Sequence, residues 1–137
     1  MICQCSQCRK GTASLFFIAH RVAPASGFRW LKDPTTLKNY QASPAADRGF
    51  CGECGSWLYW RPRGHDRLSI GVGTVDPLYL AGDGADGVEV PEGGFGRALA
   101  SGCGQAEWTR CEIKGVTDDM PLLHRGRRSA EDDAADA

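Results

Sequence analysis

Met1-Ile2-Cys3-Gln4-Cys5-Ser6-Gln7-Cys8-Arg9-Lys10 is the stretch whose reading decides the fold. Three of the seven cysteines lie in it, in a C-x-C-x-x-C run. A second knuckle, Phe50-Cys51-Gly52-Glu53-Cys54-Gly55, holds two more. Cysteines one or two residues apart do not readily pair with each other, because disulfide geometry strains such small rings. They can converge instead on one soft cation such as Zn²⁺, which favours tetrahedral thiolate coordination. The chain therefore reads as a small domain organised by a metal.

The rest of the composition agrees with that reading. A length of 137 residues suits one domain. With 42% hydrophobic residues and 18 glycines, it predicts a loop-rich fold whose modest core is supported by a metal site. No apolar run is long enough to span a membrane, and no signal peptide is visible. An odd number of cysteines without a leader argues for reduced thiols in a cytoplasmic, or nuclear, setting. Up to His65 there are nine Lys/Arg against three Asp/Glu, and beyond it seven against fourteen. The basic residues are scattered, which is the signature of a solvated surface rather than of a nucleic-acid face.

Taken in order, the chain reads as mainly β. Arg9 to Ser14 is a polar turn, and Leu15 to Val22 a buried strand bounded by turn residues. Phe28-Arg29-Trp30 and Leu37-Lys38-Asn39-Tyr40 are two further strand candidates. Trp57 to Arg61 leaves the second knuckle as an aromatic strand, and Leu68 to Val72 alternates as another. Gly55 supplies the left-handed conformation that a metal-binding knuckle needs. Gly73 to Pro77 ends the Leu68 strand, residues 81–96 read as an irregular loop, and Trp108 to Ile113 as a last strand. The segment 126–137 is charged, has no large apolar residue to dock, and reads as a disordered tail after a domain spanning 1–125. Trp57, Tyr59 and Trp60 could stack on bases, but a core stripe beside a knuckle explains them better. His20, His65 and His124 are given no ligating role.

Two metal assignments compete on spacing alone. Cys5, Cys8, Cys51 and Cys54 form one C-x-x-C…C-x-x-C set, a closed four-cysteine site that would make the chain a non-catalytic binding module. Cys3, Cys5 and Cys8 form the other, a tripod that leaves one coordination position open, as a catalytic zinc requires.

These motifs resemble the family of glutathione-dependent formaldehyde-activating enzymes and centromere protein V. Cys3-Gln4-Cys5-Ser6-Gln7-Cys8-Arg9 resembles its C-x-C-x-x-C-R run. Arg48-Gly49-Phe50-Cys51-Gly52-Glu53-Cys54-Gly55-Ser56 resembles its R-x-F-C-x-x-C-G-S knuckle. Gly73-Thr74-Val75-Asp76-Pro77, Trp108 and Asp118-Asp119-Met120-Pro121 are weaker points of likeness. The resemblance implies a small Mss4-like β fold. It implies a catalytic zinc on Cys3, Cys5 and Cys8, and half of a structural zinc site on Cys51 and Cys54. The C-x-C pair that completes that second site lies, in the family, in a hairpin preceding the tripod. The chain is expected to lack that hairpin and so to be shortened at its N-terminus. Cys103 and Cys111 are the other thiols that could complete the site.

The activity implied is that of a zinc-dependent carbon–sulfur lyase, with glutathione as co-substrate and a small-molecule thiol adduct as substrate. Arg9, Lys10 and Arg48 are the candidates for meeting glutathione carboxylates, since arginine matches a carboxylate bidentately.

Overall fold

The computed structural model describes residues 1–83, 90–101 and 104–118, and the backbone of residues 124–125. Cys103, the Asp119-Met120-Pro121 stretch and the expected tail 126–137 lie outside the described residues.

The fold is mainly β. Four strands follow one another as an antiparallel meander: β3 (Leu37–Ser43), β4 (Ala46–Cys51), β5 (Trp57–Pro62) and β6 (Leu68–Gly71). On its other side β6 pairs antiparallel with β2 (Phe17–Val22). Strand β1 (Ile2–Cys3) is too short to stand alone and is held from both sides. It runs antiparallel to β2, with Cys3 opposite Phe17, and parallel to β7 (Gln105–Glu107), with Ile2 opposite Ala106. With β8 (His124–Arg125) beside β7, the strand order is β3-β4-β5-β6-β2-β1-β7-β8. This architecture, with a cysteine cluster that starts on the interior strand β1, is consistent with a small Mss4-like fold.

The core is built around that cysteine cluster. Period-two alternation in β2 buries Phe17 and Ala19 on one face. Cys3 and Cys8 complete the buried cluster, and Met1, Cys5, Trp57 and Trp108 pack against it. The sulfurs are thus part of the apolar core, not an addition at its edge.

Helices are short. The first, α1 (Ser6–Thr12), replaces the expected polar turn at Arg9 to Ser14. Its first turn is capped by Cys5, and it ends at Ala13, which takes the left-handed conformation (φ 51°). Arg9 and Lys10 in its last turn are favourably placed against the helix dipole. Gly11 lets this helix lie close to the sheet, since a Cβ there would come within 2.5 Å of the Trp57 indole. Further on, α2 (Pro77–Ala81) starts at Asp76, whose carboxylate accepts a hydrogen bond from the Leu78 N–H at 2.9 Å. Proline at the first helical position suits this start. The last described helix, α3 (Gly96–Ser101), lies at the end of the stretch expected to be an irregular loop. Residues 84–89 of that stretch are outside the described residues.

Two expected strands are not formed. Phe28, with extended backbone, and Trp30 follow a short 3-10 turn, Ala25–Gly27. Their rings pack edge to face on each other, with centroids 5.0 Å apart, and the segment joins no strand. At Trp108 the backbone turns left-handed (φ 61°, ψ 47°) and the chain enters a 3-10 helix, Thr109–Cys111. The strand in this region is therefore β7, ending just before Trp108. No helix among the described residues is long and apolar enough to cross a membrane.

Candidate metal centre and active site

The C-x-C-x-x-C run works because it crosses a strand-to-helix junction. Cys3 ends β1, Cys5 is the N-cap of α1, and Cys8 is the third residue of the helix. An N-cap side chain and the third helical residue are neighbours across the first turn. Here the Cys8 N–H donates to Cys5 Sγ at 3.3 Å. In a strand, alternate side chains share a face, so Cys3 comes to the same side as Cys5 and Gln4 points the other way.

Gln4 is fully buried and ties the run to a distant segment. Its Oε1 accepts from the Thr117 hydroxyl at 2.6 Å, and its backbone N–H donates to the Glu107 carbonyl at 3.3 Å. Thr117 Oγ1 in turn accepts from the Ile113 N–H at 2.8 Å. The run is thereby anchored on both faces.

The three Sγ atoms lie within 4.8 Å of one another. A tetrahedral zinc with Zn–S bonds of about 2.3 Å needs sulfurs about 3.8 Å apart, so the donor set and its spacing suit this ion. The mutual hydrogen bonds also show how the thiols differ. Donation from Cys3, and then from Cys8, holds Cys5 far below the ordinary thiol range, at about 2. Cys3 is pushed up to about 12, chiefly by its hydrogen bond to Cys5. Cys8 is also raised, by its hydrogen bonds to Cys3 and Cys5 and by burial. One thiolate is therefore stabilised by two thiols, and further ionisation needs a cation to balance it.

The cysteines form part of the wall of a cavity of about 360 Å³. Met1, Phe17, Ala19, Ala46, Trp60 and Trp108 give it a largely apolar lining. Trp108 belongs to this wall through a left-handed backbone, a conformation that costs a non-glycine residue about 1–2 kcal/mol. Arg48 and Trp60 are cross-strand partners on β4 and β5, and both line the cavity.

Of the basic residues expected to meet a carboxylate, Arg48 is the most distinctive. It is 6% exposed. Its Nη1 donates to the Ala46 carbonyl at 3.4 Å, and its Nε has no partner. Among the described residues it makes no ion pair. Lys10 is exposed and lines a second groove of about 420 Å³. Gln7 and Arg48 line both spaces. The Arg9 guanidinium is occupied in the fold: Nε donates to the Leu15 carbonyl at 2.8 Å and Nη2 to the Cys111 carbonyl.

Cys51 and Cys54 occupy a separate knuckle. Cys51 ends β4, and Gly55, at φ 76°, closes the turn with its N–H on the Cys51 carbonyl at 2.9 Å. Cys51 Sγ meets Thr36 Oγ1 at 3.5 Å, and Cys54 Sγ meets Ser56 Oγ at 3.2 Å. Neither joins the sulfur cluster, which among the described residues consists of Cys3, Cys5 and Cys8. This corrects the four-cysteine reading: the structure groups Cys5 and Cys8 with Cys3. Cys111 lines the tripod's cavity and does not complete the knuckle.

A family model described as glutathione-dependent formaldehyde-activating enzyme matches residues 1–85, more than half of the chain. The chain belongs to this family. In this member the matched range carries the tripod, Arg48 and the knuckle, whereas Trp108, Cys111 and Thr117 lie beyond it. No curated protein matches the chain.

Sequence reasoning did not single out Gln4, Thr117 or Ala46 at this site. The glutamine had a signal, as a polar residue between two cysteines of a short strand. Thr117 and Ala46 had none.

Proposed function

We propose that this family member is a zinc-dependent carbon–sulfur lyase acting on a glutathione adduct. In the synthetic direction, the thiol sulfur bonds to the carbonyl carbon of formaldehyde and the thiol proton passes to the carbonyl oxygen. In the reverse direction the C–S bond breaks and the hydroxyl proton returns to sulfur. The observation that carries the reading is a cluster of three cysteine sulfurs within 4.8 Å in the wall of a largely apolar cavity. Family membership supports glutathione and formaldehyde as the chemistry concerned.

Cys3, Cys5 and Cys8 would hold the zinc. When bound, zinc supplies positive charge that brings a neighbouring thiol, ordinarily ionising near pH 8.5, into its thiolate form at neutral pH. The remaining work falls to the protein's own groups. Arg48, which lines both the cavity and the adjoining groove, offers a guanidinium to a substrate carboxylate, and Lys10 offers a second cation in that groove. Phe17, Trp60 and Trp108 limit water at the reacting carbon. The Gln4–Thr117 hydrogen bond holds the tripod's strand in place, which favours proximity over free diffusion. Cys51 and Cys54 offer two further sulfurs for a structural ion.

The test is lyase activity toward S-hydroxymethylglutathione, after subtraction of the uncatalysed thiol–aldehyde reaction, together with zinc content per chain. Cys3→Ser is expected to lower zinc content and abolish the catalysed rate. Unchanged zinc content in that variant would remove the tripod from the reading.

A further inference from the structure

The cavity beside the tripod is large for the smallest carbonyl compound. A one-carbon aldehyde has two heavy atoms, little more than a water molecule, whose share of liquid volume is about 30 Å³. The cavity measures about 360 Å³, at the scale of sites that enclose whole organic ligands. Ala19 and Ala46, each 1% exposed, contribute small side chains where larger ones would fill the space. Phe17, Trp60 and Trp108 supply flat apolar surface around them. Arg67 lies over the Trp60 ring, 6.0 Å from its centroid, and so backs that wall. The buried charge of the cavity is Arg48, which also borders the groove that holds Lys10 and Asn39.

These features divide the space by chemistry. A charged peptide-like thiol fits along the groove where Arg48 and Lys10 supply cations. An apolar group fits among the aromatic rings. A hydroxymethyl group would leave most of that apolar wall uncovered.

We propose that the site also takes thiol adducts whose carbon half is an apolar group of several carbons, seated between Phe17, Trp60, Trp108 and Ala46. The inference rests on the lyase reading of the same site and adds a substrate class to the one-carbon adduct: hemithioacetals of glutathione with an alkyl or aromatic aldehyde. Their cleavage breaks the C–S bond, returns the hydroxyl proton to sulfur and releases the aldehyde, with no oxidant or reductant required.

Stable thioethers test the size of the group independently of turnover. S-methylglutathione and S-benzylglutathione are titrated calorimetrically into the full zinc-loaded chain. Each buried methylene is worth roughly fourfold in affinity, so the benzyl compound is expected to bind at least about tenfold more tightly. Ala46→Leu is expected to reduce the benzyl-to-methyl affinity ratio by about tenfold, with near-ultraviolet circular dichroism checking that the variant is folded. Should that variant not fold, the wild-type ratio decides alone. Equal affinity for the two compounds, a preference for the methyl compound, or binding of neither overturns the inference. If any of these occurs while S-hydroxymethylglutathione is still cleaved, the lyase reading stands and only the substrate class falls. Absence of that cleavage removes the lyase reading and this inference with it.

Discussion

The two C-x-x-C segments share a spacing and end in different physical settings. Cys5 and Cys8 flank the first turn of a helix whose preceding strand brings in Cys3, so three sulfurs meet inside the core. Cys51 and Cys54 flank a turn closed by Gly55 at the end of β4, with Cys51 half-buried and Cys54 exposed. In the tripod, ionisation is shared among thiols, and Cys5 takes the charge. At the knuckle, the Cys54 backbone N–H, followed by the Thr36 hydroxyl, holds Cys51 at about 7. The lesson is that a two-residue spacing brings two sulfurs together, while the neighbouring element decides whether a third arrives and whether water is excluded.

The sharpest way to break this comparison is to remove one sulfur from each region. Cys3→Ser is expected to reduce the proposed lyase activity by at least about a thousandfold, the loss of the proposed ion's full effect. Cys54→Ser is expected to leave zinc at the tripod. Elemental analysis of both purified variants, beside activity, checks the pair. Equal zinc loss from the tripod in both variants would mean that the regions act as one site.

A smaller effect is expected from the buried tether. Gln4→Leu leaves the Thr117 hydroxyl without its acceptor inside the protein. Loss of such a partner costs about 1–3 kcal/mol. Urea denaturation measures it, and an unchanged midpoint would show that the tripod's strand is held by β2 and β7 alone. At the knuckle, Gly55→Ala places a Cβ on a left-handed residue and should cost about 1 kcal/mol in the same assay. Nothing lies within 4 Å of a Cβ at that position, so any loss there reports backbone strain alone.

The smallest expected effect concerns pH. Because Cys51 is held at about 7, below the ordinary thiol value, its reactive thiolate forms as pH rises through 7 and is lost as pH falls below it. Alkylation by iodoacetamide, followed residue by residue by mass spectrometry, should therefore rise through pH 7 at Cys51 and level off above it. Thr36→Val removes a hydroxyl that favours the thiolate and should move that inflection upward. An inflection above pH 8 in the unaltered chain would mean that the knuckle does not stabilise the anion.

Much of the fold could be read from short patterns. The aromatic run Trp57 to Arg61, the alternation in Leu68 to Val72 and the left-handed Gly55 all appear where local chemistry places them. The helix at Pro77 had a local signal as well, in Asp76-Pro77 followed by Gly82, but five residues are too few for an apolar stripe to reveal it. Helix α1 was hidden for another reason: its cap is a cysteine, outside the usual set of capping residues. Phe28 to Trp30 has strand-like residues but no neighbouring strand, and β propensity depends on having one. Trp108, just after β7, takes a conformation that favours glycine, which no propensity would assign to tryptophan.

The sequence by itself determined the donor chemistry and the internal spacing of the tripod. Those are properties of a few consecutive residues, set by strand alternation and the first turn of a helix. Only the tertiary structure decided that Arg48 and Ala46 from β4, Trp60 from β5, Phe17 from β2 and Trp108 after β7 would surround those sulfurs. That gathering follows from the strand order, in which β1 sits between β2 and β7. Such long-range pairing is fixed by the burial of the whole sheet, and no short segment carries it.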